Sequence, residues 1–401
     1  MTVMERPADL QLDRVVDADI YALPGMEHGF HDAWKRLQDE NPDIVWTDRN
    51  EGHWIALRGE LVSEILSDHE RFSSRIIILP RSAGEEHSGL IPTTIDPPEH
   101  RWYRKQLNEN LSLKFVRELE PDIRALAGEL IEAFVDQGHT DFIRNYSEIL
   151  PIRIFLQLID LPQADAPRLK YLTDMMTNPG SEMTMAEARD EMGAYLLPVV
   201  TRRMKDPGED MISRMVGRPF EGRSMTAEEA LVLTLQVLVA GMDTVVNFLG
   251  FAMLHLARDH DMRARLVADP DLAPRAVAEL FRRYGSVTIA RLVRRDMDYH
   301  GIHLRAGDLV ACPTVVHGLD ERENDDPLTV DIDRARPRHS AFGQGAHRCP
   351  GQELARSEVA ITLQEWLRRI PDFEVANADE LRQAGGINAH IDRLVLRWPV
   401  P

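Results

Sequence analysis

The sequence predicts a mainly α fold with a minor, edge-like β portion, and three observations carry that reading. Apolar residues recur at three- and four-residue spacing through most of the 401 residues. Strand-like alternation is confined to a few short stretches, and one apolar run is long enough for a helix through the middle of a large core. Hydrophobic residues make up 43% of the chain, enough to surround such a helix, and no Pro/Gly/Ser-rich tract divides it, so 1–401 reads as one domain.

In chain order, IVWTD (44–48) and HWIALR (53–58) read as strands, and PDIRALAGELIEAFVDQ (121–137) as a periodic helix. AEARDEMGAYLLPVVTRRMKD (186–206) repeats the helical pattern. EALVLTLQVLVAGMDTVVNFLGFAMLHLA (229–257) is apolar enough for a membrane span, but Gln236, Asp243, Thr244, Asn247 and His255 lie within it. A span would bury an unpaired carboxylate in hydrocarbon, so a core helix is expected and no membrane association. PRAVAELFRRY (274–284) is a further helix, and residues 288–312 read as a set of short strands. GQELARSEVAITLQEWLRRI (351–370) is a helix with the stripe Ala355, Val359, Leu363, Trp366 and Ile370, and DRLVLRWPV (392–400) is a closing strand.

A net charge of −19 argues against nucleic acid and anionic membranes as partners. MTVMERPADLQLDR (1–14) has neither the basic nor the apolar region of a signal peptide. The two cysteines, Cys312 and Cys349, offer no disulfide framework, and a cytoplasmic setting is expected.

Three constellations carry chemistry. In FGQGAHRCPG (342–351), Cys349 stands at a helix N-terminus, where free backbone N–H groups and the helix dipole favour a thiolate. Gly343 and Gly345 would clear the approach of something flat, so the stretch reads as a haem-binding loop with Cys349 as metal ligand. Half of a dinucleotide fingerprint is the rival, but RPRHSAF before it is no buried strand and the third glycine is missing. A core cysteine in an ordinary loop is the blander alternative; Phe342, both glycines, a basic residue two before Cys349, and Gly351 together weigh against it. AGMDT (240–244) interrupts the apolar helix with an acid–alcohol pair. Ala240 and Gly241 would leave room for a diatomic ligand, Asp243 would supply protons and Thr244 would hold the water that relays them. ELFR (279–282) places Glu279 and Arg282 on one helix face, which alone describes an exposed ion pair of little worth.

In this order and spacing the three resemble cytochrome P450, the haem-thiolate monooxygenase family, with ELFR as its ExxR pair. HRWYR (100–104) matches the family's HxxxR, which implies haem b with His100 and Arg104 on its propionates. Arg291 and His347 stand at two further propionate-contacting positions, and Arg334 at the third place of the Glu279–Arg282 network. TTIDPPEHR, LPIRIFLQLIDLP, GLDEREN and EWLRRIPDF are similar to the bacterial camphor-hydroxylase group. The resemblance implies hydroxylation of a hydrophobic small molecule with O2. Electrons would come from a two-iron, two-sulfur ferredoxin and its NADH-dependent reductase. A non-catalytic haem sensor and a peroxide-driven haem enzyme are the alternatives, and neither explains Asp243 beside Thr244.

The substrate positions depart from the camphor pattern. GEEHSGLIPTT (84–94) is one residue longer and lacks the ketone-binding tyrosine, whose place falls on His87 or Ser88. Ile78 replaces an aromatic wall, Gln236 an aliphatic residue and Ile289 a propionate-facing acid, while Asn388 adds polarity beside Ile387. With Leu90, Val239, Val287 and Ile387 apolar, a larger terpenoid or norisoprenoid ketone such as an ionone is expected, camphor or another monoterpene being the alternative. The arginines of 334–348, with Arg101, Arg104 and Lys105, form a basic island suited to an acidic ferredoxin.

Overall fold

The computed structural model describes residues 4–7, 10–177, 182–217 and 219–400, which include every site residue named above. Helices dominate, and the long one runs Ala227–Arg258. Its start lies two residues before the periodic run because Thr226 and Glu229 form a reciprocal cap: each backbone N–H donates to the other's side chain, at 3.1 Å and 2.8 Å. The helix passes through the core, packed against Leu150–Leu158, Ala166–Thr177 and Met185–Lys205. Its apolar window is 67% buried inside the protein, as expected of a core helix.

Gln352–Arg369 packs along Leu113–Glu132 and Ala273–Arg283, and its stripe from Ala355 to Ile370 is buried throughout. The partner helix starts eight residues before the periodic run, and Pro121 lies inside it. A proline there removes one backbone hydrogen bond, but Val116, Ile123, Ala127 and Ile131 continue one buried face across it, and that packing prevails.

The largest sheet orders its strands Ile44–Thr47, His53–Ala56, Leu309–Pro313, Thr288–Val293 and Phe72–Ser73. The pair His53–Ala56 and Leu309–Pro313 is parallel, with Trp54 opposite Val310; the other pairs are antiparallel. Two- and three-residue strands such as Phe72–Ser73, His139–Asp141 and Gln383–Ala384 were beyond the reach of any periodicity.

Glu279 and Arg282, on helix Ala273–Arg283, are not an exposed pair: both are almost wholly buried. Arg282 Nε and Nη2 donate to the two Glu279 oxygens at 2.9 Å and 2.7 Å, and Arg334 Nε donates to Glu279 Oε1 at 2.9 Å. The remaining Arg282 protons reach the carbonyls of Gly318, Pro327 and Thr329 at 2.6–2.7 Å. Gly318 must lack a side chain, since a Cβ there would lie 1.8 Å from the Arg282 carbonyl oxygen. Removing one partner leaves a buried uncompensated charge. Glu279→Ala is expected to cost about 3–5 kcal/mol in denaturant unfolding.

Glu358, on the helix after Cys349, is buried with no ion-pair partner among the described residues, and burial pushes its carboxyl up to about 8. A folded pKa above the ordinary 4.5 means its contribution to stability is full below that value and is lost as pH rises through about 8. Glu358→Gln should therefore gain stability relative to the parent at pH 9 and gain nothing at pH 4, read as denaturation midpoints.

Candidate functional site

The loop before helix Gln352–Arg369 folds back on itself. Cys349 N–H donates to the Phe342 carbonyl at 2.7 Å, and Gly343 N–H to Ser340 O at 2.7 Å. Gly343 has φ +67°, a conformation that favours glycine, and nothing in the protein crowds its open side. Gly345, also at positive φ, has a different reason from the expected one: a Cβ there would lie 2.7 Å from Ser67 Cα, so it lets the loop rest on helix Gly59–Ser67. The helix begins at Gln352 with Gly351 as N-cap, and the amides of Gly351 and Gln352 point at the Cys349 sulfur.

These amides, with Arg104 and Arg348, pull the Cys349 thiol down, but burial outweighs them and holds it above its ordinary value. Cys349 counts as half-buried by surface because one side is open, while the protein encloses the others. Coordination of a metal ion would displace the proton and favour the thiolate. Cys312 is a buried strand residue whose thiol burial pushes up to about 12.

Beside the loop, the His100 and His347 rings pack at a tilt with centroids 4.2 Å apart, and Arg104 donates to the Arg348 carbonyl. Both His100 nitrogens and His347 Nε2 are buried with no hydrogen-bond partner among the described residues. Burial lowers His100 to about 4 and His347 to about 2, so both rings are neutral. Arg291 is 3% exposed, and its sole hydrogen bond among the described residues goes to the neighbouring Ala290 carbonyl at 2.9 Å. A buried guanidinium without a carboxylate, next to unsatisfied imidazoles, is costly unless an anion is supplied. A flat group carrying two carboxylates fits that donor set, so the residues are suited to haem.

On the long helix, Ala240 and Thr244 are exposed in an otherwise buried segment, and Gln236 one turn earlier is half-buried with its Oε1 unpaired. Thr244 Oγ1 donates back to the Ala240 carbonyl at 3.3 Å, as expected. Gly241 serves another purpose than the expected one. A Cβ there would meet the Phe155 ring at 2.5 Å, so it admits the neighbouring helix and does not clear space for a ligand. Asp243 is not an unpartnered acid: Asn247 donates to Oδ1 at 3.1 Å, Asn388 to Oδ2 at 3.2 Å, and Lys170 Nζ lies 3.7 Å from Oδ1.

Of the substrate positions, Leu90 and Val239 are buried in the main core, while Val287 and Ile289 are half-buried. Ile78 and Ile387 meet Ala83 and Met185 in a small separate cluster. His87 closes helix Arg81–Glu86 and is buried, its ring lowered to about 4 by burial, whereas Ser88 is exposed. The expectation for Asn388 is corrected: its side chain is spent on Asp243 and on Ser286, 2.9 Å away.

Residues 169–381 match the family model for cytochrome P450. The chain is 34% identical to "Probable cytochrome P450 127A1" of Sinorhizobium fredii over 92% of this chain and 90% of that one. The chain belongs to the cytochrome P450 family. It is also 31% identical to a steroid C26-monooxygenase of Mycolicibacterium smegmatis, over 90% of each chain. The crystal structure of CYP101J2 superposes with a TM-score of 0.92 at 43% identity, covering 99% of this chain and 100% of that one. That of CYP101C1 gives 0.91 at 40%, covering 98% and 100%. Family membership brings monooxygenase chemistry and haem b held through a cysteine thiolate.

Sequence reasoning about this P450 missed three features. Phe248 of the long helix stacks on Phe281 at 3.8 Å between centroids, Phe281 packs on Phe342 at 4.5 Å, and the Arg356 guanidinium caps Phe342 at 5.0 Å. That column ties together all three constellations; a phenylalanine in or beside each was the available signal. Lys170 against Asp243, and Ser286 behind Asn388, join distant segments and left no local signal.

Proposed function

We propose that residues 1–401 form one cytoplasmic P450 domain that hydroxylates a terpenoid or norisoprenoid ketone. In this reading Cys349 is the haem ligand and His100, Arg104, Arg291 and His347 receive the propionates. The unmet donors of His100, His347 and Arg291 carry the reading, because only a bound dianion relieves them together. Phe342, Gly343 and Gly351 shape the loop, and Glu279, Arg282 and Arg334 hold the segment leading to it. Bound haem supplies the iron at which one oxygen atom of O2 enters a C–H bond while the other leaves as water, for two electrons and two protons. Cys349→Ser is expected to abolish the thiolate-type, red-shifted band of the reduced carbonyl complex, and Cys312→Ser to leave it in place.

The protein's own part is to move protons and exclude bulk water. Thr244, on the open face of the long helix, would hold the water that hands on a proton, and Asp243 would replenish it from the other side of the turn. Thr244→Ala should keep NADH consumption while hydrogen peroxide replaces product. Asp243→Asn should instead slow turnover about tenfold or more. Equal peroxide yields from parent and Thr244→Ala would contradict this division.

Electrons would come from an acidic two-iron, two-sulfur ferredoxin with an NADH-dependent reductase. The basic island supporting this is smaller than the sequence suggests. Arg101, Arg336 and Arg348 are exposed without ion pairs among the described residues, but Arg338 pairs with Glu323, Lys105 with Glu221, and Arg334 with Glu279.

For the substrate, the aliphatic set Ile78, Leu90, Val239, Val287, Ile289 and Ile387 supports recognition mainly by burial. With Asn388 engaged elsewhere, the polar groups left for a ketone are Gln236 and His87. A relative named for steroid oxidation accords with an elongated guest. Titration of the ferric protein should give a full spin shift with an ionone and a weak one with camphor; the reverse order would overturn the substrate assignment.

A further inference from the structure

Besides Asn247 of its own helix, which donates to Oδ1, Asp243 meets two partners from other segments, of unequal rigidity. On one side stands Lys170, a long flexible side chain that it shares with Asp174 one turn further along helix Ala166–Thr177. On the other side stands Asn388, whose Nδ2 donates to Asp243 Oδ2 at 3.2 Å and whose Oδ1 accepts from Ser286 Oγ at 2.9 Å. A carboxylate can only accept, so a single amide orientation serves both neighbours, with the NH2 toward Asp243 and the oxygen toward Ser286. The backbone fixes the pair as well. Val287 and Asn388 form an antiparallel bridge, Thr288 N–H donates to Ile387 O, and Ala389 N–H donates to Ser286 O, both at 2.9 Å. Asn388 therefore reaches Asp243 from a ladder and needs little ordering, whereas Lys170 reaches it at the end of a mobile stem.

We propose that Asn388, oriented by Ser286, is a positioning residue that fixes the Oδ2 edge of Asp243 and so sets the direction in which that carboxylate faces the Thr244 turn. The inference rests on the reading of Asp243 as the proton-supplying group. Neither Asn388 nor Ser286 exchanges a proton with substrate; they act through Asp243. The ladder that holds them also carries Val287 and Ile387, so the same two segments that would wall the pocket anchor the acid.

The test is a double-mutant cycle in the full-length, haem-loaded protein with its electron-transfer partners, reading turnover and its solvent deuterium isotope effect. Asn388→Leu is expected to lower turnover about tenfold, the size of one hydrogen bond to a charged group, and to raise the isotope effect. Ser286→Ala should do the same more weakly. In an Asp243→Asn background neither change should lower turnover further. A second readout is independent of activity: the side-chain amide resonances of Asn388 in 15N-labelled protein should shift in both Asp243→Asn and Ser286→Ala. If Asn388→Leu loses the reduced carbonyl band through misfolding, Ser286→Ala, which deletes one hydroxyl, carries the cycle alone. Losses that persist undiminished in the Asp243→Asn background, or Asn388 resonances that do not move, overturn the positioning role and leave the Asp243 reading standing. Parental turnover and isotope effect in Asp243→Asn itself would bring down that reading, and this inference with it.

Discussion

One carboxylate between two guanidiniums organises the proximal half of this P450. Glu279 is among the least exposed acids of the described residues, and charge at that depth is tolerated because its carboxylate accepts four hydrogen bonds, three from arginine protons and one from a backbone amide. Arg282 spans the carboxylate and three backbone carbonyls, so the helix Ala273–Arg283 is bound to the turn at Gly318 and the strand-free segment 327–329. Arg334 and the Asp331 amide bring the following chain to the same oxygen. From Arg334 the chain runs directly into the loop of Phe342 and Cys349. The loop's position is thus inherited from a charge network that makes no contact with it.

Two kinds of buried ionisable group stand out. Glu279 and Arg282 are satisfied from within, and their role ends at structure. Arg291 and His100 are buried and His347 is half-buried, and polar atoms of all three lack full partners among the described residues, which suits them to receive an anion. The distinction separates scaffold from site without reference to the family. Cys349 sits between the two kinds: burial opposes its anion, while amides and arginines favour it.

What was legible in the sequence was what local spacing encodes. Glu279 and Arg282 lie three apart on one helix, Cys349 lies just before a helix start, and Thr244 lies one turn after the carbonyl it bonds. The helices at 185–205, 227–258, 273–283 and 352–369 were readable to within two residues because their apolar stripes are long. What was not legible depends on which distant segment arrives. Gly241 and Gly345 both read as clearing space for a ligand, yet Phe155 and Ser67 occupy those approaches. Asn388 read as a pocket residue beside Ile387, yet next to its bridge with Val287 its side chain reaches Asp243. Each error is a tertiary contact overriding a local expectation.

Helix geometry explains why the acid and the alcohol of the long helix have separate surroundings. Consecutive helical residues project about 100° apart, so Asp243 and Thr244 cannot face the same direction. Thr244 shares its open face with Ala240, four residues earlier, while Asp243 faces Lys170, Asn247 and Asn388. The carboxylate is thereby kept off the face where an apolar guest and O2 would sit, and its charge is balanced away from them. In the proposed reading, a proton from Asp243 would have to pass around the turn through Thr244 or a water that Thr244 holds. That requirement makes the orientation of the carboxylate matter, and it gives a physical purpose to the rigid amide on one side and the mobile lysine on the other.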